Sequence, residues 1–281
     1  MWQLLQFPLC PFSRKVRLLL AEKSIGYQPV RESPWARRDE FLHINPAGQT
    51  PVMIDDEAGI RLIDSMAICE YIEETGDKPA MLNGSAADRA EQRRLVTWFD
   101  TQFYREITGP LLMERMEKRI VHRQTPDTRV LREAMKAAVE HLDYIDYLLD
   151  HRQWIGGATM SLADLAAAAQ ISIADYLGGI DFKTHDLAKR WYVGMKSRPS
   201  FRPLLAERME GVPPPADYAA SSLSRSVRRE RLSSGTPFSI RALDRLDRYS
   251  NHTGLNDLKH LAATPVPKFT KFTLVRVLRR A

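Results

Sequence analysis

Two periods of apolar and polar positions follow one another along this chain, and the change from one to the other divides it. The run from Trp2 to Phe7 reads as a strand stopped by Pro8, and after Cys10 and Pro11 the apolar residues Val16, Leu19 and Leu20 recur at helical spacing. Gln28 to Arg31 reads as a short strand after the Ile25-Gly26-Tyr27 turn, and Asp39 to Ile44 as a short helix. Val52 to Ile54 and Ile60 to Leu62 flank the polar turn Asp55-Asp56-Glu57-Ala58-Gly59 as a hairpin. Ser65 then opens a helix to about Glu74, with Ala67, Ile68, Tyr71 and Ile72 predicted to face inward. Residues 1–76 are therefore predicted to form a small α/β domain, and residues 77–87, rich in Gly, Pro, Asn, Ser and Asp, a linker.

Residues 88–210 show no strand pattern. Ala87 to about Lys118 and Thr128 to about Asp150 read as long helices, the second with the stripe Leu131, Met135, Ala138, Leu142, Ile145 and Leu149. Ser161 to Leu177 is alanine-rich and apolar on nearly every face, which predicts a central, buried helix. Thr184 to Met195 and Phe201 to Met209 complete an all-helical domain. Residues 211–281 open on Gly211-Val212-Pro213-Pro214-Pro215 and lose this regularity except at Leu255 to Ala262; they are read as a proline-rich segment and a disordered basic tail.

Charge sharpens that division. Residues 1–219 hold 28 Lys+Arg against 31 Asp+Glu, whereas residues 220–281 hold 13 against 4, so the overall +6 belongs to the tail. The folded part has no charge-based claim on nucleic acid or anionic lipid, and only the tail could touch either. No run approaches a membrane span and the first residues lack a signal pattern, so a cytoplasmic location is expected. Cys10 and Cys69 are too few for a disulfide framework, the seven histidines show no ligand spacing, and no metal is expected.

The candidate chemistry sits at element boundaries. Cys10 precedes a proline at a helix entrance, where the positive end of the helix dipole biases a thiol toward thiolate; the turn lacks the second cysteine of an internal disulfide. Cys69 lies on an apolar helix face and reads as core. Asn45-Pro46-Ala47-Gly48-Gln49-Thr50-Pro51-Val52 forbids helix and leads into a strand, with Thr50-Pro51 the candidate cis bond. Asp64-Ser65 places a carboxylate and a hydroxyl at a helix start, where capping and ligand binding use the same geometry. Ser161-x-x-Asp164 is a capping box, with a loss of about 1–2 kcal/mol expected if the cap is removed.

Four of these features in this order, Cys10-Pro11-Phe12-Ser13, Asn45-Pro46-x-Gly48-x-Thr50-Pro51-Val52, Asp64-Ser65, and Ile155-Gly156-Gly157 before Ser161-Leu162-Ala163-Asp164, make residues 1–210 resemble the glutathione S-transferase family. That resemblance implies a thioredoxin-like N-terminal domain followed by an all-helical one. It implies glutathione as a candidate substrate, with no cofactor required: Asp64 and Ser65 for the γ-glutamyl end, Val52 after Thr50-Pro51 for the cysteinyl part, and Gln49, more weakly, for the glycyl carboxylate. Cys10 would form a mixed disulfide with glutathione's sulfur, and Ser13 could instead hydrogen-bond a bound thiolate. The structural readings stand beside these: Ser65 as a helix cap, the cis-proline as a requirement of the fold, Cys10 as a semi-buried thiol without substrate. The resemblance also implies a homodimer, one subunit's N-terminal domain packing on its partner's first two long helices, here within residues 87–150.

A closer resemblance lies inside the family. Pro34-Trp35-x-x-Arg38-x-Glu40-Phe41, the segment from Arg190-Trp191-Tyr192 to Lys196-Ser197-Arg198-Pro199-Ser200-Phe201, and Gly211-Val212-Pro213-Pro214-Pro215-x-Asp217-Tyr218 are similar to a bacterial branch that binds the division polymer FtsZ. That branch ends soon after the tyrosine, whereas this chain runs on into the basic tail. The resemblance implies an FtsZ-filament-binding module in cell division, with glutathione-dependent transfer or thiol transfer through Cys10 as the competing class. Trp35, flanked by Arg31, Arg37 and Arg38, has the composition of a contact hot spot, or else packs against its own domain.

Overall fold

In a computed structural model of the chain, residues 1–76 and 79–219 are described. The tail reading and the helical stretch Leu255 to Ala262 lie outside them. Strands β1 (Gln3–Gln6), β2 (Gln28–Arg31), β3 (Val52–Asp55) and β4 (Ile60–Ile63) form one sheet in the order β2-β1-β3-β4. β1 and β2 run parallel, which requires a crossover, and helix α1 (Pro11–Glu22) supplies it. β3 pairs antiparallel with both β1 and β4. Period-two alternation assigns the two faces: Leu4 and Met53 join the core shared with α1 and α3 (Ser65–Thr75), while Leu5, Val52 and Ile54 pack with Phe41 of α2 (Asp39–Ile44). Trp2 and Phe7, expected in the first strand, lie just outside it. On α3 the buried positions are Ser65, Ile68, Cys69 and Ile72; Ala67, expected inside, is exposed.

An all-helical part follows. Helix α4 (Ala86–Thr97) continues through wide π-type turns at Trp98–Thr108, α5 (Gly109–Leu112), a second such stretch at Met113–Glu117, and α6 (Lys118–Ile120). Pro110 accounts for the end of the first widening: it has no N–H to donate, its ring crowds the carbonyl four residues back, and the N–H of Gly109 reaches five residues back to the Tyr104 carbonyl. Helix α7 (Thr128–His151) buries Ala134, Ala138, His141, Leu142, Tyr144, Ile145 and Leu148. The expected stripe is thus rotated, and Met135 is 40% exposed. The cause is polar: His141 turns inward because it accepts from Trp98 Nε1 at 3.2 Å and meets the Glu106 carboxylate at 3.0 Å.

Helix α8 (Leu162–Tyr176) runs through the core of the described residues, with every side chain from Leu162 to Ala174 buried. It packs against α1, α4 and the stretch Trp98–Thr108. Helices α9 (Asp186–Lys196) and α10 (Arg202–Ala206) close the helical part. The last helix, expected to reach Met209, stops at Ala206; Glu207 is extended and its carboxylate pairs with Arg14 and Arg17 of α1.

Candidate functional site

The turn between β1 and α1 carries the one partly exposed thiol among the described residues. Cys10 is the N-cap of α1 with Pro11 at the first helical position. Its Sγ accepts from the Ser13 N–H at 3.4 Å and donates to the Thr50 carbonyl at 3.3 Å. The first bond satisfies one of the helix's orphan donors, and the second joins the turn to the loop before β3. Thr50-Pro51 is cis, as the proline pattern predicts. That loop is held from within by Asn45, whose Oδ1 accepts from Ala47 N and whose Nδ2 donates to the Gln49 carbonyl at 2.7 Å. Gly48 sits at φ +65°, a conformation that glycine adopts without steric cost.

Cys10, Ser13, Thr50 and Pro51 are therefore brought together. The hydroxyls of Ser13 and Thr50 are both buried and bond to no described residue, so it is the Ser13 backbone N–H, not its side chain, that meets the sulfur. Val52 is buried at the start of β3, in register with Leu5 and Ile63, and the Gln49 side chain is exposed. Asp64, not Ser65, caps α3: its Oδ1 accepts from Met66 N at 2.7 Å and Ala67 N at 3.1 Å. Asp64 also stands at φ 79°, a strained position for a residue with a side chain, costing on the order of 1–3 kcal/mol. Ser65 is buried in the first turn of α3.

Beneath the site lies a paired cation that the local pattern could not reveal. Lys15 is fully buried and pairs with Asp100. Burial pulls its ammonium down, but Asp100, with Cys69 and Asp64 behind it, holds it above the ordinary lysine range. Tyr104 was also missed; its ring meets Phe12 at 4.9 Å, and burial followed by the charge of Cys10 raises its phenol. Only the fold sets a helix residue more than ninety positions away in sequence against the thiol turn.

Trp35 is half-buried and packs edge-on against Phe7 at 4.9 Å, beside the thiol turn. Arg38 grips the buried Glu32 carboxylate with two bonds, at 3.3 and 2.6 Å, and also faces Glu40. Arg31 lies over the Phe7 ring at 6.0 Å, and Arg37 is exposed with no ion pair among the described residues. Also among the described residues, no three His, Cys, Asp or Glu side chains converge as a metal site, and no helix is long and apolar enough to cross a membrane.

A thioredoxin-like sheet with a cysteine at its first helix entrance, followed by a helical bundle, defines a class, and the chain belongs to the glutathione S-transferase family. The family's N-terminal domain matches residues 9–75. FtsZ-localized protein A of Caulobacter vibrioides is 45% identical over 214 residues, 75% of this chain and 94% of that one. Among solved structures, FzlA from C. crescentus superposes with a TM-score of 0.77 at 43% identity, covering 79% of this chain and 99% of that one. A glutathione S-transferase from Rhodospirillum rubrum superposes with a TM-score of 0.77 at 44% identity, covering 79% of this chain and all of that one.

Proposed function

We propose that this chain acts in the cytoplasm as an FtsZ-filament-binding regulator of cell division that retains a glutathione-transferase site. The observation that carries the reading is the 45% identity to FtsZ-localized protein A, extending over 94% of that protein and so over both parts of the fold. The loop Pro34–Ala36 with its flanking arginines supplies the contact surface: a half-buried tryptophan, and Arg37 free to meet an acidic polymer. Arg38 is the poorer probe, because removing it strands the buried Glu32 carboxylate. The expected result is that Trp35→Ala and Arg37→Ala each reduce co-sedimentation with assembled FtsZ filaments severalfold at unchanged fold, and that rising salt weakens the wild type as the arginine contribution is screened. Wild-type protein that stays in the supernatant at low salt, while turning over a glutathione substrate, overturns the reading.

The protein is proposed to work as a homodimer. Supporting this are exposed apolar side chains on the elements concerned, Ile63 of β4 at 39% and Met135 and Val139 of α7 at 40% and 46%. Light scattering at micromolar concentration is expected to give twice the chain's mass, and a single-chain mass rejects the dimer. The competing reading, glutathione-dependent thiol transfer by Cys10, is favoured by the bond from Ser13 N–H to the half-exposed sulfur. In that reading Cys10→Ser abolishes thiol-transferase activity.

A further inference from the structure

The thiol turn is tied to the far end of the described chain through one side chain. The Cys10 N–H donates to the Phe7 carbonyl at 3.0 Å, closing a turn with Pro8 and Leu9 at its centre. The common forms of such a turn differ by a flip of the central peptide, whose oxygen here is the Pro8 carbonyl. Arg14 Nε donates to that oxygen at 2.9 Å. The rest of the Arg14 guanidinium, fully buried, is held by Ser172 Oγ at 2.8 Å, Tyr218 Oη at 3.0 Å and the Glu207 carboxylate at 3.3 Å.

The segment supplying Glu207 and Tyr218 is itself fastened down. Tyr176 Oη accepts from Met209 N at 2.8 Å and donates to the Val212 carbonyl at 2.9 Å. The Tyr218 ring meets Tyr176 edge-on at 5.1 Å, with the Lys196 ammonium 5.3 Å from its centroid. Glu207 also pairs with Arg17 at 2.6 Å. Burying a guanidinium is costly, and a well-packed apolar side chain would serve stability as well; what Arg14 adds is a rigid fork with one prong on the thiol turn and the others on residues 172, 207 and 218.

We infer that Arg14 is a positioning residue for the Cys10 thiol and that the segment Glu207 to Tyr218 is a strap that sets it. When Tyr218 and Glu207 hold Arg14, the Pro8–Leu9 peptide is fixed and the sulfur stays on the Ser13 N–H. When the strap lifts, Arg14 keeps only Ser172 behind it, and its hold on the Pro8 carbonyl loosens enough for the turn to flip. The inference rests on Cys10 being a reactive thiol, as in the transferase reading.

The test is the rate of Cys10 carbamidomethylation by iodoacetamide across pH, on the full chain with Cys69→Ala as background. Tyr218→Phe removes one oxygen and leaves the ring in place; it is expected to lower the rate at neutral pH about threefold or more and to displace the pH–rate profile toward higher pH. Glu207→Gln, at a side chain that keeps 18% of its surface exposed, is expected to act in the same direction and carries the test should Tyr218→Phe not fold. Folded variants with wild-type rates and profiles, even at a lower melting temperature, make the strap purely structural and overturn the inference. A wild-type Cys10 that does not react overturns it together with the transferase reading; a reactive wild type with silent variants overturns the strap alone.

Discussion

Replacing Asp164 by alanine is expected to lower the melting temperature by on the order of 10 °C. The carboxylate is fully buried and each oxygen takes two donors: Oδ1 accepts from Ile155 N at 2.9 Å and Trp191 Nε1 at 3.0 Å, and Oδ2 from Ser161 N and Ser161 Oγ, both at 3.0 Å. Alanine strands four donors in a dry interior, and an unsatisfied buried donor costs about 1–3 kcal/mol. Burial pushes this carboxyl up, against the pull of the four donors, so part of the gross energy is already spent in the wild type and the net loss is about 4 kcal/mol. At about 2–4 °C per kcal/mol for a chain of this size, the shift is well beyond that of an ordinary exposed cap. Calorimetry or thermal circular dichroism measures it. A shift under about 3 °C would mean that water replaces the carboxylate and that the site contributes no more than a surface capping box.

The two thiols are expected to differ in alkylation rate by at least about a hundredfold at pH 7.5. Cys69 is fully buried between α3 and α1, and burial pushes its thiol up to about 12 in spite of the nearby Lys15 ammonium. Its thiolate fraction at that pH is thus very small, and reagent reaches it only when the structure opens. Cys10 is half-exposed at the helix entrance. Mass spectrometry should find one rapid carbamidomethyl adduct, lost in Cys10→Ser and kept in Cys69→Ala. Equal labelling of both residues in the folded protein would remove the distinction between site and core on which the transferase reading depends.

Elements were legible in the sequence wherever one physical cause dominated. Pro8 and Pro11 bracket the thiol turn, the Asp55–Gly59 turn makes the hairpin, and an all-round apolar composition makes α8 central; each follows from local sterics or from burial alone. The thiol turn, the cis-proline loop and the capping box were legible for the same reason. Side-chain facing was not. The α7 stripe misplaced Met135 because hydrophobicity alone cannot foresee that Trp98 and Glu106 draw His141 inward. The sequence places Asp64 and Ser65 together at the start of α3, and only the fold shows that Asp64 Oδ1 is the group that caps it.

By itself, then, the sequence determined the order and type of the elements, the boundary between sheet and helices, and the position of the thiol at a helix entrance, because these depend on backbone restriction and on periods of a few residues. Only the tertiary structure decided which groups are paired. Arg14 with Tyr218, Lys15 with Asp100, and Tyr104 beside the thiol turn join residues 85 to 204 positions apart. A charged or phenolic side chain carries no local mark of such a partner, since the energy that selects it is the cost of leaving a buried polar group unpaired, and that cost arises only once the chain has closed around it.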